Sequence, residues 1–316
     1  MSLLEVSGLT VGIERSPEAL LRDVDFTVEA GEVMGLVGES GSGKTMASLA
    51  IMGLLPVGIE QREGTIRLGG RNLVDVSTGT VKRTASEMTM IFQDPRSALN
   101  PTMRVGHQIG RVLQINREMK RGEARTLAVE MLSRVGIAGA AQVARAYPHQ
   151  LSGGMCQRVM IGMALACKPQ ILIADEPTTA LDVTIQAQIF DLINDLVDET
   201  GCGVLFITHD LGAVAEMCDR VTVLYGGQVM ETGSLRDIFT RPRHPYTRFL
   251  FDAVDREVDP NVSEKDADFA LKGCRFGHRC PQAFAACSEI PPLTEVEPGH
   301  FSACFLHEME ARVGSA

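Results

Sequence analysis

Long apolar runs and a basic, apolar N-terminal segment are both missing from this 316-residue sequence. The best candidate for a membrane-spanning segment, residues 159–167, is far shorter than the roughly 20 apolar residues that a spanning helix needs. The first ten residues, MSLLEVSGLT, place no basic region ahead of an apolar stretch, so we expect no secretory signal there. These absences predict a cytosolic protein without its own membrane span.

An excess of basic charge is missing as well. The chain has 40 acidic and 30 basic residues, which gives a formal net charge of −10. This balance argues against nucleic acid as the main ligand, because phosphate backbones are bound by basic surfaces. A local basic pocket for a small phosphate ligand is still compatible with this charge balance. With 45% apolar and 22% charged residues, the composition is that of a folded protein, and the length suggests about two domains.

Short apolar runs alternate with helical patterns along the first 250 residues. The runs that predict strands, several of them continuous and therefore expected to be buried on both faces, are residues 33–37, 88–92, 171–174, 204–208 and 221–225. The segments that predict helices are residues 44–55, 123–135, 155–166 and 184–199. This alternation predicts an α/β fold with a largely parallel sheet. Between about residues 94 and 166 the strand signal disappears, which predicts a helical subdomain inserted into the α/β core.

A phosphate-binding loop follows the first of these predicted strands. The sequence GESGSGKT matches G-x-x-x-x-G-K-[ST] and opens the predicted helix from residue 44. Glycines let the backbone wrap around phosphates, so that its N–H groups and the helix N-terminus meet the negative charge. Lys44 is expected to reach the β- and γ-phosphates, and the Thr45 hydroxyl to ligate Mg²⁺. The predicted nucleotide-binding residues of this loop are Gly38, Ser40, Gly41, Ser42, Gly43, Lys44 and Thr45.

An apolar run that ends in two carboxylates forms a second candidate site. The sequence ILIADEP places Asp175 at the end of a predicted strand, where it can hold Mg²⁺, and Glu176 one residue further on. A carboxylate beside the γ-phosphate suits the task of orienting the attacking water and accepting its proton. Taken with the phosphate-binding loop, this pair indicates nucleotide hydrolysis. A kinase is the competing interpretation, because phosphate-binding loops serve both chemistries.

Between these two motifs lies the sequence LSGGM, in which Ser152 is suited to cap the helix that follows. With this order of motifs, residues 3 to about 250 resemble ATP-binding-cassette (ABC) ATPases, which implies a P-loop NTPase (RecA-like) core. The resemblance implies that Gln93 is the Q-loop glutamine, which touches Mg²⁺ and water. It also implies that Ser152, Gly153 and Gly154 contact the γ-phosphate bound to an opposite subunit. Ala180-Leu181-Asp182 resembles the D-loop, and His209 resembles the switch histidine.

The chain departs from the common pattern of this family at two points. Met155 stands where the signature usually has Gln, and Cys156 follows where a basic residue is expected. The stretch LTVGIE at residues 9–14 also lacks the aromatic residue on which the family usually stacks adenine. Because such stacking stabilises a bound base by roughly 1–3 kcal/mol in nucleic-acid complexes, we expect modest base selectivity.

Three further stretches resemble one branch of the family, the oligopeptide/dipeptide and nickel importer ATPases. They are FQDP with LNP from residue 92, ADEPTTALD from residue 174 and HPYT from residue 244. Residues from Gln93 onward are implied to line the groove that receives a coupling helix of the permease. Arg241, Arg243, His244 and Arg248 form either a local basic patch or a solvated loop.

The C-terminal tail has a different composition, rich in Cys and Pro. Residues 255–265 are polar and acidic and suggest a linker, so we expect an ABC ATPase domain over residues 1–254 and a Cys-rich extension over residues 255–316. The spacing C-x5-C-x6-C-x16-C marks four candidate ligands, Cys274, Cys280, Cys287 and Cys304. Four thiolates could hold zinc or an iron–sulfur cluster. Family resemblance favours a [4Fe–4S] cluster. Zinc is the next alternative, and free thiols or disulfides are the least favoured.

The resemblance implies an ATPase that powers a peptide importer from the cytoplasmic face of the inner membrane. Glu176 and His209 would be catalytic, and Thr45, Gln93 and Asp175 would hold Mg²⁺ with ATP. The implied partners are two permease subunits, a second ABC ATPase (a paralogue or a copy) and, indirectly, an extracytoplasmic solute-binding protein. The alternatives are a soluble ABC ATPase without a membrane partner, and an importer of nickel or another small solute.

Overall fold

The computed structural model describes residues 2–75, 80–81, 87–179, 181–256 and 273–307, and the fold is presented for those residues. The strands are β1 Ser2–Ile13, β2 Ala19–Glu29, β3 Val33–Val37, β4 Ile59–Leu68, β5 Arg71–Asn72, β6 Val74–Asp75, β7 Thr80–Val81, β8 Met88–Ile91, β9 Ile171–Asp175, β10 Gly203–Thr208, β11 Arg220–Tyr225, β12 Gln228–Ser234, β13 Thr294–Glu297 and β14 His300–Ser302. The helices are α1 Lys44–Met52, α2 Pro95–Ala98, α3 Val105–Asn116, α4 Arg121–Arg134, α5 Ala140–Val143, α6 Gly153–Ala166, α7 Val183–Thr200, α8 Leu211–Met217, α9 Leu235–Thr240 and α10 Pro245–Arg256, with 3-10 turns at Pro148–Gln150 and Ala285–Ser288.

The central sheet has eight strands in the order β13-β14-β12-β11-β3-β10-β9-β8. Its five strands from β11 to β8 are parallel, and they are the five strands that the apolar runs predict. Every residue of β3, β9 and β10 is buried, as expected for strands covered on both faces. The carboxyl ends of β3, β8, β9 and β10 therefore meet at one edge of the sheet, where the phosphate-binding loop, Gln93, Glu176 and His209 follow.

A second sheet, which the sequence analysis did not predict, is antiparallel and has the order β2-β1-β4-β5. Its apolar residues pack with Met34 and Leu36 of β3 and with Ala47 and Ile51 of α1 into one buried cluster. The phosphate-binding helix thus lies between the two sheets. This position fixes the start of α1, where a phosphate would bind.

Helices occupy the interval between β8 and β9, in agreement with the predicted helical insertion. Helices α2 to α6 span residues 95–166, and no strand lies among residues 94–170, all of which are described. Helix α6 packs against α2, α3 and α4, with Val159, Ile161 and Leu165 buried. Among the described residues, no helix combines the length and the apolar character that crossing a bilayer requires.

The C-terminal segment 273–307, here called the C-terminal module, extends the central sheet. Strand β14 pairs with β12, and β13 pairs with β14. Phe276 is buried against the rings of Tyr225 and Tyr246, with centroids 5.4 and 5.3 Å away. The boundary predicted between residues 254 and 255 falls within α10, and residues 257–265 of the predicted linker lie outside the described residues.

A buried carboxylate joins the module to the rest of the sheet. Glu231 of β12 is fully buried, and its Oε1 lies 2.6 Å from Nε2 of His300 in β14. The backbone N–H groups of Arg243 and His244 donate to the same carboxylate at 2.7 and 2.8 Å. His244 is buried, and both Arg243 and Arg241 pair with Glu297. These residues therefore form a joint between strands rather than the basic patch or solvated loop considered from the sequence.

Glu231→Gln should destabilise the protein at neutral pH. Burial tends to raise the pKa of Glu231, but the hydrogen bonds from His300, Thr247 and the two backbone N–H groups outweigh it and lower that pKa below the usual 4.5. A lowered pKa in the folded state contributes stability that is present above about pH 4.5 and is lost as the pH falls through the folded value. We expect the substitution to lower the free energy of unfolding by about 1–3 kcal/mol at pH 7.5, and this difference to shrink below pH 4.5.

Urea unfolding across this pH range measures the effect, and Glu289→Gln, an exposed position in the same module, is the matched control. A Glu231→Gln variant as stable as the Glu289→Gln control at pH 7.5 would contradict this role of the joint.

Candidate active site

The phosphate-binding loop is shaped by glycines at positions where a side chain does not fit. Gly43 has a φ of 103°, and a Cβ there would come within 2.7 Å of the Leu21 side chain. A Cβ on Gly38 would lie 2.1 Å from the carbonyl oxygen of Leu224. Close packing against β2 and β11 therefore requires both glycines. The backbone that results turns sharply from β3 into α1, as a phosphate cradle does.

Lys44, the first residue of α1, folds back over the loop. Its side chain is buried, and Nζ donates to the carbonyl oxygens of Gly38 at 2.8 Å and Glu39 at 2.9 Å. Burial lowers the pKa of Lys44, while the nearby carboxylates, Glu176 first, act in the opposite direction. The ammonium group is thus held inside the loop, within reach of a phosphate.

Asp175 is the last residue of β9, and its carboxylate is buried. It is 1% exposed, and neither of its oxygens has a hydrogen bond of standard geometry among the described residues. Burial raises its pKa to about 6, an effect that the Thr45 hydroxyl and the Lys44 charge partly offset. A buried carboxylate beside a hydroxyl offers the hard oxygen ligands that Mg²⁺ prefers, so these residues fit a magnesium ion.

Glu176 is held by hydrogen bonds from three other side chains. His209 Nδ1 lies 2.8 Å from Oε1, while Gln93 Nε2 and Thr179 Oγ1 donate to Oε2 at 3.0 and 3.1 Å. Its backbone has a φ of 49°, and its N–H donates to the carbonyl oxygen of Ile207 at 2.8 Å. Burial tends to raise the pKa of Glu176, but the hydrogen bonds and the charge of His209 outweigh it and lower that pKa. The carboxylate is thus ionised and oriented, as the control of a water molecule requires.

The loop, Lys44, Gln93 and Glu176 line one cavity of about 310 Å³. Its lining residues are Leu20, Ser40, Gly41, Ser42, Gly43, Lys44, Thr45, Met46, Gln93 and Glu176. The structure thus brings together most of the nucleotide-binding residues that the sequence predicts. Ser152, Gly153 and Gly154 are not among the lining residues, and their predicted action on an opposite subunit stays a prediction. Ser152 Oγ caps α6 by accepting from the Met155 N–H at 3.3 Å.

The D-loop resemblance falls partly outside the described residues, because Ala180 is not among them. Asp182 caps α7, its Oδ1 accepting from the Ile185 N–H at 3.1 Å. Gln157, a buried residue of α6, was not predicted from the sequence; its Nε2 donates to the Pro177 carbonyl oxygen at 2.7 Å. This bond ties the signature helix to the loop after Glu176. Its only sequence signal was the position of Gln157 beside the LSGGM motif.

Leu20 and Met46 were missed as well, since nothing in the sequence marks an apolar residue as a cavity lining. Residues 9–13, where the family places its aromatic, belong to β1. Leu20 of β2 supplies apolar surface at the cavity instead.

The four C-terminal cysteines lie in the module without forming disulfides. Burial raises the pKa of Cys274, Cys280 and Cys304, the last to about 11, and the charges of neighbouring cysteines raise it further. Backbone N–H groups two residues further on oppose this rise at all three thiols, as hydrogen bonds to the sulfur do. The four sulfurs thus share one neighbourhood.

The phosphate-binding loop, the buried Asp175 and the oriented Glu176 at one sheet edge define a P-loop ATPase. Residues 21–179 match the ABC transporter family, and residues 230–287 match the oligopeptide/dipeptide transporter C-terminal region. The chain therefore belongs to the ABC transporter ATPases and carries the C-terminal region of the oligopeptide/dipeptide branch, as the sequence motifs predict.

Similar proteins match nearly the whole chain. The oligopeptide transport ATP-binding protein AppD of Bacillus subtilis is 45% identical over 98% of each chain. The probable peptide ABC transporter ATP-binding protein y4tR of Sinorhizobium fredii is 47% identical over 92% of this chain and 90% of its own length. The oligopeptide transport ATP-binding protein OppD of Escherichia coli is 45% identical over 90% of this chain and 87% of its own.

Solved structures confirm the predicted fold class. A dimeric ATP-binding cassette in a post-hydrolysis state, bound to ADP and Pi, matches with a TM-score of 0.65 and 28% identity, covering 74% of this chain and 99% of that one. An ATP-binding subunit of an ABC transporter matches with a TM-score of 0.65 and 26% identity, covering 81% and 100%. The predicted Cys-rich extension as a metal-binding unit has no such support.

Asp175→Asn should stabilise the metal-free protein and abolish its response to magnesium. A carboxyl pKa raised from 3.8 to about 6 means that the charged form costs folding free energy above about pH 6. Removal of that charge should raise the free energy of unfolding by about 1–3 kcal/mol at pH 7.5 without Mg²⁺. Mg²⁺ with ATP should then stabilise the variant far less than the wild type.

Urea unfolding with and without Mg²⁺ and ATP measures both effects, with Asp191→Asn on the exposed face of α7 as control. Equal stabilisation of wild type and Asp175→Asn by Mg²⁺ and ATP would exclude Asp175 as a magnesium ligand.

Proposed function

We propose that this chain is the ATP-hydrolysing subunit of an importer of oligopeptides or dipeptides. The proposal rests on one observation: the phosphate-binding loop with its neighbouring carboxylates and the oligopeptide/dipeptide transporter C-terminal region share one continuous sheet. The names of the relatives at 44–47% identity support peptides as the cargo over nickel or another small solute. A soluble ABC ATPase without a membrane partner is the alternative that this C-terminal region disfavours.

The proposed chemistry assigns each part of the cavity a task. The loop N–H groups and Lys44 bind the β- and γ-phosphates, and the loop glycines allow the close approach. Thr45, Gln93 and Asp175 hold the Mg²⁺ that arrives with ATP and that neutralises phosphate charge. Glu176 orients the attacking water and accepts its proton.

His209 keeps Glu176 in place through the 2.8 Å contact to Oε1, and it lies beside the γ-phosphate position. His209 is largely exposed in the single subunit, with 57% of its side chain accessible. Ser152, Gly153 and Gly154, at the positive end of α6, then complete the site of a second subunit. Two ATPase subunits would thus enclose two ATP molecules between them.

We also propose that two permease subunits dock on the helical subdomain and hold the chain at the cytoplasmic face of the inner membrane. A cavity of about 350 Å³ opens there, and its charged lining side chains are Arg104, Arg121, Arg125 and Arg145. No acidic residue lines it, within the described part of the chain. The positive charge of this cavity is complementary to an acidic segment of the permease. An extracytoplasmic solute-binding protein would act on the permease from the other side.

Glu176→Gln should trap the ATP-bound state. The substitution keeps the size of the side chain but removes the base, so we expect hydrolysis to fall by about two orders of magnitude or more while ATP binding persists. Tagged Glu176→Gln chain should therefore co-purify with the permease subunits and a partner ATPase in the presence of ATP. Asp210→Asn, at the cap of α8, is the control of matched charge.

Undiminished turnover of the variant would contradict the assignment of the base. If no integral membrane protein co-purifies with the tagged Glu176→Gln chain, the soluble alternative is favoured.

For the C-terminal module we propose a metal site formed by Cys274, Cys280, Cys287 and Cys304, with a [4Fe–4S] cluster favoured over zinc. Backbone N–H groups directed at three of the sulfurs are suited to stabilise thiolates. Zinc at about 2.3 Å from each sulfur needs the four sulfurs nearly in contact. The described residues contain a single group of three or more donor atoms within 4.8 Å, namely Asp237, Glu297 and His300, and the cysteines are not in it. Wider spacing favours the larger cluster.

Protein purified without oxygen should therefore be brown and contain iron and sulfide. Cys280→Ser should lose most of both, because a cluster with one missing thiolate is labile. Cys167→Ser, a buried cysteine of the ATPase body, should retain them. Colourless wild-type protein that carries zinc, or no metal, would refute the cluster.

A further inference from the structure

One residue of the phosphate-binding loop, Glu39, is held from the C-terminal side of the chain. Its backbone N–H donates to Tyr246 Oη at 2.9 Å, and its carbonyl oxygen accepts from Lys44 Nζ at 2.9 Å. Its carboxylate receives two hydrogen bonds from Arg279, from Nη1 to Oε2 at 2.9 Å and from Nη2 to Oε1 at 3.3 Å. Every polar group of Glu39 is therefore engaged, and both residues outside the loop come from beyond residue 240.

Arg279 is prepared for this contact by its surroundings. Its guanidinium carbon lies 4.9 Å from the ring centroid of Phe249 and 5.7 Å from that of Tyr225, and Nη1 also donates to Tyr225 Oη at 3.3 Å. Only 22% of its side chain is exposed. Stacking on two rings fixes the plane of the guanidinium, so little rotamer entropy is lost when it binds a carboxylate with both arms.

The module places Arg279 through a short, anchored turn. The Arg279 N–H donates to the Phe276 carbonyl oxygen at 2.9 Å, and the Phe276 ring is 1% exposed between Tyr225 and Tyr246. The backbone N–H of Cys274, which opens the turn, donates to the Cys287 carbonyl oxygen at 3.0 Å. The guanidinium therefore cannot shift without disturbing the packing of the module on β11 and α10.

The contact between Arg279 and Glu39 affects nucleotide binding through the charge of Glu39. Glu39 places a negative charge in the loop that has to accept the triphosphate. Burial lowers the pKa of Lys44, and the charge of Glu39 acts in the opposite direction, after those of Glu176 and Asp175. An unpaired carboxylate there would repel the phosphates and compete for Lys44. A bidentate guanidinium neutralises it and fixes the carbonyl to which Lys44 donates.

We propose that Arg279 is a positioning residue of the ATP site, which reaches from the C-terminal module to fix and neutralise Glu39 of the phosphate-binding loop. The module is thereby part of the ATP-binding machinery and not only an appendage. This inference rests on the proposed ATPase function. Among the described residues, Arg279 hydrogen-bonds to Glu39, to Tyr225 and to the Phe276 carbonyl, none of which lines the cavity. We therefore expect its effect to be on ATP affinity more than on the hydrolytic step.

The test is a double-mutant cycle on the full-length chain purified with its partner subunits. Arg279→Gln should raise the KM for ATP roughly tenfold and change kcat less than about threefold, since coupling energies of contacting charged pairs reach this size. Arg279→Lys, which keeps the charge but not the two-armed geometry, should fall in between. In the double variant Glu39→Gln, Arg279→Gln, the repelling carboxylate is gone, and the KM should return to within about threefold of wild type.

Arg241→Gln is the matched control, because it also removes an Arg–Glu pair between the core and the module, at 2.9 Å from Glu297, but one remote from the loop. Its KM should stay at the wild-type value. Urea unfolding of each variant shows whether it is folded. A merely structural contribution of Arg279 would be reproduced by Arg241→Gln and would not be rescued by Glu39→Gln, and either result would overturn the inference.

An unchanged KM in Arg279→Gln would overturn it as well, while leaving the ATPase assignment intact. Failure of the wild-type chain itself to hydrolyse ATP would instead sink the proposed function.

Discussion

Parallel pairing of β3, β8, β9 and β10 is the constraint on which the active site depends. Because all four strands run in one direction, the segments that follow them leave the sheet at the same edge. A lysine from the first strand–helix turn, a glutamine after β8, two carboxylates at the end of β9 and a histidine after β10 are far apart in the sequence. The register of the sheet places Asp175 opposite Ile207. Gln93 and His209 then hydrogen-bond to Glu176, and Lys44, Gln93 and Glu176 line one cavity.

The same edge concentrates charge in a place that water reaches poorly. Lys44 and Asp175 are both buried, and among the described residues the Asp175 oxygens have no hydrogen bond of standard geometry, so burial of this carboxylate has an electrostatic cost. The proposed Mg²⁺ would offset that cost at Asp175, whereas Lys44 already donates to two carbonyl oxygens of the loop. Glu176 differs, because its neighbours already satisfy it, and this arrangement fits the proposed action on water better than the binding of a metal. The two adjacent carboxylates have different surroundings because Asp175 is the last residue of β9 and Glu176 is the first residue after it.

The sequence allowed the parallel strands and the loop to be predicted because each carries a local signal. Continuous apolar runs marked β3, β9 and β10, and glycine spacing marked the phosphate cradle. The antiparallel sheet escaped prediction because the alternation in β1 is interrupted: Gly8 has a φ of 61°, and the pairing with β4 shifts register between Ser7 and Thr10. The contact of Arg279 with Glu39 joins residues 240 positions apart, and no local sequence pattern predicts such a pair.

The position of the C-terminal module follows from the strand pairing at the edge of the central sheet. Strand β12 returns antiparallel from β11, and its outer edge would be left unpaired if β14 did not cover it. Covering that edge carries Phe276 onto Tyr225 and Tyr246, and the tyrosines lie directly behind the phosphate-binding loop. Among the described residues, Arg279 then pairs with the carboxylate of Glu39. A segment that covers a sheet edge thus also contacts the phosphate-binding loop.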